Sequence, residues 1–155
     1  MLKIITHPNE ILRKKAKKVA ISKIKNEKIQ KLIDEMIEIM EKEDGVGLAA
    51  PQIGESFQII TVKNNSEILV FINPKITDQS WSKSEMEEGC LSVPGIFCKI
   101  KRPKKIRLSA FDRFGEKIKL KATGLFGRII QHETDHLYGI LIIDKQEKCE
   151  KLSQL

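Results

Sequence analysis

Residues 131–136 read Gln-His-Glu-Thr-Asp-His, so His132 and His136 stand four residues apart in a chain with only three histidines. On an α-helix that spacing stacks both imidazoles on one face, where their nitrogens converge on a single metal ion. Glu133 falls one step round the helix, within reach of a proton on a water at the metal but badly placed to ligate beside both histidines. The chemistry this predicts is hydrolysis at one metal. Two solvated surface histidines are the alternative. Ile129, Ile130 and Leu137 flank the pentad, however, and predict a mostly buried helix. Buried imidazoles need partners, and one ion satisfies both.

A catalytic site of this kind takes three protein ligands and one open position. After Asp144 the only carboxylates are Glu147 and Glu150, and Ile142 stands where a third histidine six residues past His136 would be needed. The missing ligand is therefore expected upstream. Cys90 is the candidate, within Glu88-Gly89-Cys90-Leu91-Ser92-Val93-Pro94-Gly95. Gly89 and Pro94 predict a tight, irregular segment, and a thiolate is a strong, soft ligand for Zn²⁺ or Fe²⁺. A lone cysteine is more often a small buried hydrophobe. A third group, Gly45-Val46-Gly47-Leu48-Ala49-Ala50-Pro51-Gln52, has small residues that let a backbone approach something closely. Gln52 reads as a hydrogen-bond donor in the site or as a solvated amide.

These groups need elements to hold them. Ile29, Leu32, Ile33, Met36, Ile37 and Met40 form an apolar stripe that predicts a helix over 26–43, with Asn26 as N-cap and a stop at Asp44-Gly45. Short β-type runs follow at 57–62, 68–73, 96–101, 106–111 and 117–122, the last two joined by a turn at Asp112-Arg113-Phe114-Gly115. A second helix over 123–138 carries the pentad and stops at Gly139. Residues 145–155 are expected to add a short polar helix. The fold class predicted is α+β: mostly antiparallel strands packed around a central metal-binding helix, with an N-terminal helix, in a single domain over 1–155.

Composition excludes some classes. No apolar run approaches the roughly 20 residues of a membrane span, and the N-terminus lacks the apolar core of a signal peptide. The three cysteines, Cys90, Cys98 and Cys149, are odd in number and widely spaced, which predicts no disulfide framework and a reducing compartment. Cys98 and Cys149 are expected to be structural. The net charge of +7 is uneven: residues 1–28 hold nine Lys/Arg against two acids, and residues 99–121 hold ten against two. Such blocks suit an RNA-rich partner or a solvated surface. The second reading is favoured, because no aromatic residues interleave with the lysines as a base-stacking platform requires.

Taken together, Gly-x-Gly-x-Ala-Ala-x-Gln at 45–52, Glu-Gly-Cys-x-Ser at 88–92 and Gln-His-Glu-x-Asp-His at 131–136 resemble the peptide deformylase family, in the family's order and across essentially the whole chain. The resemblance implies removal of the N-formyl group from formylmethionine of nascent polypeptides, with release of formate. It implies that Cys90, His132 and His136 bind one divalent metal ion, Fe²⁺ in the cell, with Zn²⁺, Ni²⁺ and Co²⁺ as alternatives. Glu133 would be general base and then general acid, and Gln52 with the backbone N–H of Leu91 would stabilise the oxyanion. Glu88 and Arg102 would form a supporting ion pair, a solvated charge being the alternative for Arg102; Asp135 matches the motif with no assigned role beyond support.

Val46, Leu125 and Ile129 are the pocket candidates, with the substrate backbone pairing along Gly45–Gly47 and the segment before the Cys90 loop. Arg128 stands where the family is commonly apolar, either carrying its charge to solvent or altering preference at the pocket rim. The resemblance further implies a cytoplasmic enzyme acting on N-formylated nascent peptides. The ribosome is a candidate partner through the basic arm at 1–28; no membrane contact and no sequence-specific nucleic-acid binding are expected. A His-Glu-x-x-His endopeptidase and a non-catalytic, metal-stabilised peptide-binding module are the rival readings.

Overall fold

The computed structural model describes residues 2–145 and 148–151. Helix α1 spans Glu27–Lys42 and buries Ile29, Leu32, Ile33, Met36 and Met40, the expected stripe. Asn26 takes the N-cap position without a side-chain capping bond. Strands β1 (Gly47–Ala49), β2 (Ile59–Asn64), β3 (Glu67–Gln79), β6 (Lys105–Phe111) and β7 (Lys117–Thr123) form an antiparallel sheet in the order β1-β2-β3-β6-β7. Strands β4 (Lys83–Cys90), β5 (Val93–Pro103) and β8 (Lys148–Lys151) form a second, in the order β4-β5-β8. Helix α2, Gly124–His136, carries the pentad. The α+β class stands.

The helices lie on opposite faces of the larger sheet. In β2, Ile59 packs with α1, whereas Ile60 and Val62 pack with Ile129 and Ile130 of α2. Burial of both faces explains why Ile59, Ile60, Thr61 and Val62 are all buried, since a strand covered on one side alone would alternate. Strands β6 and β7 do alternate: Ile106, Leu108, Ala110 and Ala122 turn inward beneath α2, and the residues between them face outward. After α2, Gly139 takes φ +73, and a Cβ there would overlap the Arg13 backbone, so the stop is steric as well as conformational.

Three expectations are corrected. The expected helix at 145–155 is a strand over Lys148–Lys151, added to the edge of β5; residues 146, 147 and 152–155 lie outside the described residues. Cys98 and Cys149, expected not to pair, are joined by a disulfide, because β5 and β8 bring them directly opposite each other across 51 residues of sequence. The segment leading to Cys90 is not irregular but strand β4, which turns into β5 just after the cysteine. Among the described residues no helix is long and apolar enough to cross a membrane.

Candidate active site

Cys90 arrives from the end of β4, and His132 and His136 from successive turns of α2. Their donor atoms all lie within 4.8 Å of one another, and Cys90 Sγ is 3.3 Å from His136 Nε2. Tetrahedral ligands at ordinary metal–sulfur and metal–nitrogen lengths stand about 3.3–3.6 Å apart, so the cluster is of the right size for one ion. The electrostatics agree. Burial alone would lower the His132 pKa, but Glu133, Cys90 and Glu88 outweigh it and lift it to about 10, marking a position that favours positive charge. Burial, reinforced by His132 and Arg102, holds His136 well below its ordinary value, leaving a neutral ring with a lone pair to give. The residues present therefore fit a soft divalent cation.

His132 is aimed from behind. Its Nδ1 lies 2.9 Å from Glu88 Oε1, which turns Nε2 toward the cluster. Glu88 in turn accepts from Arg102 Nε at 2.6 Å and Nη2 at 2.9 Å, and from Arg128 Nη1 at 2.6 Å. Burial would raise the Glu88 pKa, but Arg102 and His132 prevail and hold it far below the usual carboxylate range. Arg102 also donates to Asp135 at 2.8 Å, and Lys145 lies 3.2 Å from the same carboxylate. Arg102 is thus a buried structural cation and not a solvated charge.

Arg128 corrects one of its two expectations. It does not carry its charge to solvent: it is buried, it donates to Ile100 O and Ser84 O besides Glu88, and it also lines the neighbouring cavity. Two guanidinium groups and one imidazole therefore share one carboxylate. The chain held a signal for this. Arg128 precedes His132 by four residues, so both leave the same face of α2 and reach for the same anchor.

Gln52 sits in a short helical turn, Ala50–Ile53, directly after β1. Its Oε1 accepts from the Ala49 N–H at 2.9 Å, which points the amide nitrogen at Ser92 Oγ, 3.2 Å away, and toward Cys90 Sγ at 3.6 Å. Ser92, fully buried, was missed by sequence reasoning. So was the segment at Ile5 and His7, whose N–H groups donate to Gln52 O and Ser92 O and tie the two loops together. Burial raises Glu133 to about 7, and its Oε2 has no hydrogen-bond partner among the described residues.

Gln52, Glu88, Cys90, Arg128, His132 and Glu133 border one cavity of about 480 Å³. Gly45, Val46, Gly47, Leu91, Leu125 and Ile129 line it as expected; Met86, Ile96 and Phe97 add an apolar wall that spacing did not reveal. The cavity separates β1 from β4, each of which terminates its sheet.

A thiol and two imidazoles beside a buried carboxylate make the class a metal-dependent hydrolase. The family model described as polypeptide deformylase matches residues 1–152. A peptide deformylase of Thermodesulfovibrio yellowstonii is 47% identical over 152 residues, covering 94% of this chain and 88% of that protein. The peptide deformylase structure from Thermotoga maritima superposes with a TM-score of 0.91 at 40% identity, over 96% of this chain and 99% of the other. A Met-Ala-Ser-bound class I type b peptide deformylase from Acinetobacter baumannii gives 0.89 at 31% identity, over 94% and 98%. The chain belongs to the polypeptide deformylase family, metal-dependent enzymes that remove the N-formyl group from nascent polypeptides.

Proposed function

We propose that this single domain deformylates N-formylmethionine at the Cys90–His132–His136 centre, with Glu133 as the proton carrier and Gln52 as the oxyanion donor. The observation that carries this reading is the convergence of the Glu133 carboxylate and the Gln52 amide on the cavity that Cys90 and His132 line, with His136 beside them. Fe²⁺ is the proposed native ion on the family resemblance; a thiolate with two imidazoles suits Zn²⁺ equally. Once bound, the ion supplies Lewis acidity, polarising the formyl oxygen and making a water nucleophilic near neutral pH.

The chain's own groups do the rest. Glu133, with a pKa near 7, takes a proton as water oxygen attacks the formyl carbon. Gln52 Nε2 and the Leu91 N–H stabilise the charge growing on the formyl oxygen. The C–N bond then breaks, Glu133 returns the proton to the leaving amine, and formate departs. The substrate backbone adds as an extended strand between Gly45–Gly47 and the end of β4. Val46, Leu125 and Ile129 receive the methionine side chain.

Anaerobically purified protein is expected to release formate from formyl-Met-Ala-Ser, with close to one equivalent of metal in the same sample. Cleavage of internal peptide bonds without formate would overturn the reading in favour of the endopeptidase. Cys90→Ala should lose the metal and the activity together, as read by elemental analysis after desalting; full metal occupancy would remove Cys90 from the ligand set.

Gly47→Ala tests the packing against the base. Its methyl carbon would stand 2.5 Å from Glu133 Oε1 and 2.8 Å from Ile129 Cγ2, so the carboxylate must move. A displacement of this size costs on the order of 10²-fold in turnover. The expected variant keeps its metal and loses kcat; wild-type kcat would mean that Glu133 tolerates a shifted position. A cytoplasmic location and ribosome contact through residues 1–28 complete the proposal. Unchanged ribosome co-sedimentation after neutralising Lys14, Lys15, Lys17 and Lys18 would reject that contact.

A further inference from the structure

We propose that the outer face of β3, β6 and β7, together with Trp81, is a binding surface for single-stranded RNA. Helix α1 covers this face of the sheet over β1–β3 only, and Phe111 is half-buried against its core. Beyond Phe111 the face is open. Strand alternation sends Lys105 and Arg107 outward on β6 and Lys117, Lys119 and Lys121 outward on β7, while the register places Arg107 opposite Lys121 and Lys75 of β3 opposite Ser109. Six cations thus share one side of three strands. Among the described residues lining the two grooves on this face, the sole carboxylate is Asp78, 3.9 Å from Arg107.

Like charges paired across strands destabilise a sheet, so the fold tolerates this face rather than gaining from it. A polyanion reverses that balance. The aromatic partner that the order of residues along the chain did not supply comes from the fold. Trp81, the only tryptophan of the chain, is 99% exposed in the turn between β3 and β4. Its turn is pinned: Ser80 N donates to Lys105 O, Lys104 N donates to Ser82 O, and Lys105 N donates to Ser80 Oγ. The Trp81 backbone is therefore held beside Lys104 and Lys105 with its indole open to solvent, and Ser80, Lys105, Arg107 and Lys121 border one continuous groove.

An exposed ring carried on a pinned turn beside a row of cations suits a base stacked on the ring with its phosphates running along the lysines, without sequence preference. The catalytic helix packs on the opposite face of this sheet, so an occupied RNA face leaves the cleft open. An anionic membrane or an acidic protein would use the cations but gives the indole no base to stack on.

With a single tryptophan, emission excited beyond the tyrosine absorption band reports Trp81 alone. Titration of the whole protein with a single-stranded RNA of about 12 nucleotides should quench this fluorescence, with log K falling as log salt rises by about 0.7 per phosphate contacted. Lys117→Glu/Lys119→Glu/Lys121→Glu should weaken binding at least about 10-fold and flatten the salt slope. Trp81→Ala should weaken it by about 10-fold, read by anisotropy of labelled RNA. Both variants should deformylate a short formyl-peptide at the wild-type rate, which separates this surface from the catalytic reading and shows that they fold. Absence of quenching, unchanged affinity in the triple variant, or tighter binding to phosphatidylserine vesicles than to RNA would each overturn the proposal.

Discussion

Glu133→Ala should fold, keep its metal and release formate about 10²–10⁴-fold more slowly than the wild type, the range a positioned proton carrier supplies. The structure separates this loss from any loss of stability. Burial lifts the Glu133 pKa to about 7, and one of its oxygens is buried without a partner among the described residues. A group whose charged form is disfavoured by folding gives no stability at pH 7 or above, so its removal should leave the melting temperature unchanged or slightly higher. The measurement is kcat for formate release alongside metal content and thermal melting. Retained turnover would remove Glu133 from the mechanism; lost metal would make it a ligand.

Glu88→Ala should have the largest effect on stability. Arg102 and Arg128 are buried and both bond to this carboxylate, with His132 as a third partner. Removing one member of such a set costs about 3–5 kcal/mol, because the charges left behind cannot reach water. For a chain of this size that is a fall on the order of 10 °C in melting temperature. Metal affinity should fall as well, since His132 loses the bond that aims it. Arg128→Met in the same background should recover part of the loss by deleting one stranded charge, a non-additivity that a double-mutant cycle reads directly. Strict additivity would mean that Arg128 and Glu88 are not coupled. The pH dependence carries the sign of a depressed carboxylate: its stabilisation is complete above the ordinary carboxylate range and is lost as pH falls through and below it.

The parts of the site that lie close together in sequence were legible, and the parts assembled across strands were not. His132, Glu133 and His136 follow from one helical turn, and Cys90 followed from the lack of other ligands. β4 reads Lys-Ser-Glu-Met-Glu-Glu-Gly-Cys and is exposed along most of its length, so it carries no alternation of apolar and polar residues to betray a strand. β1 is three buried residues, too short for any period. β8 is polar and takes its identity from β5, whose edge it completes. Arg128 was misjudged because a charge on an apolar helix face looks misplaced until the carboxylate it serves is seen. The disulfide and the exposed tryptophan beside the lysine strands share that cause: each joins segments that only the sheet brings together.

The two strand edges at the cleft set a condition on the substrate. β1 and β4 each terminate a sheet there, and a chain that lies between them must be extended, with its own backbone N–H and C=O groups free. A terminus already wound into a helix or paired into a hairpin keeps those groups for itself. What the slot admits is therefore a physical state of the chain more than a string of residues. For any polypeptide whose first segment folds, the slot imposes a deadline.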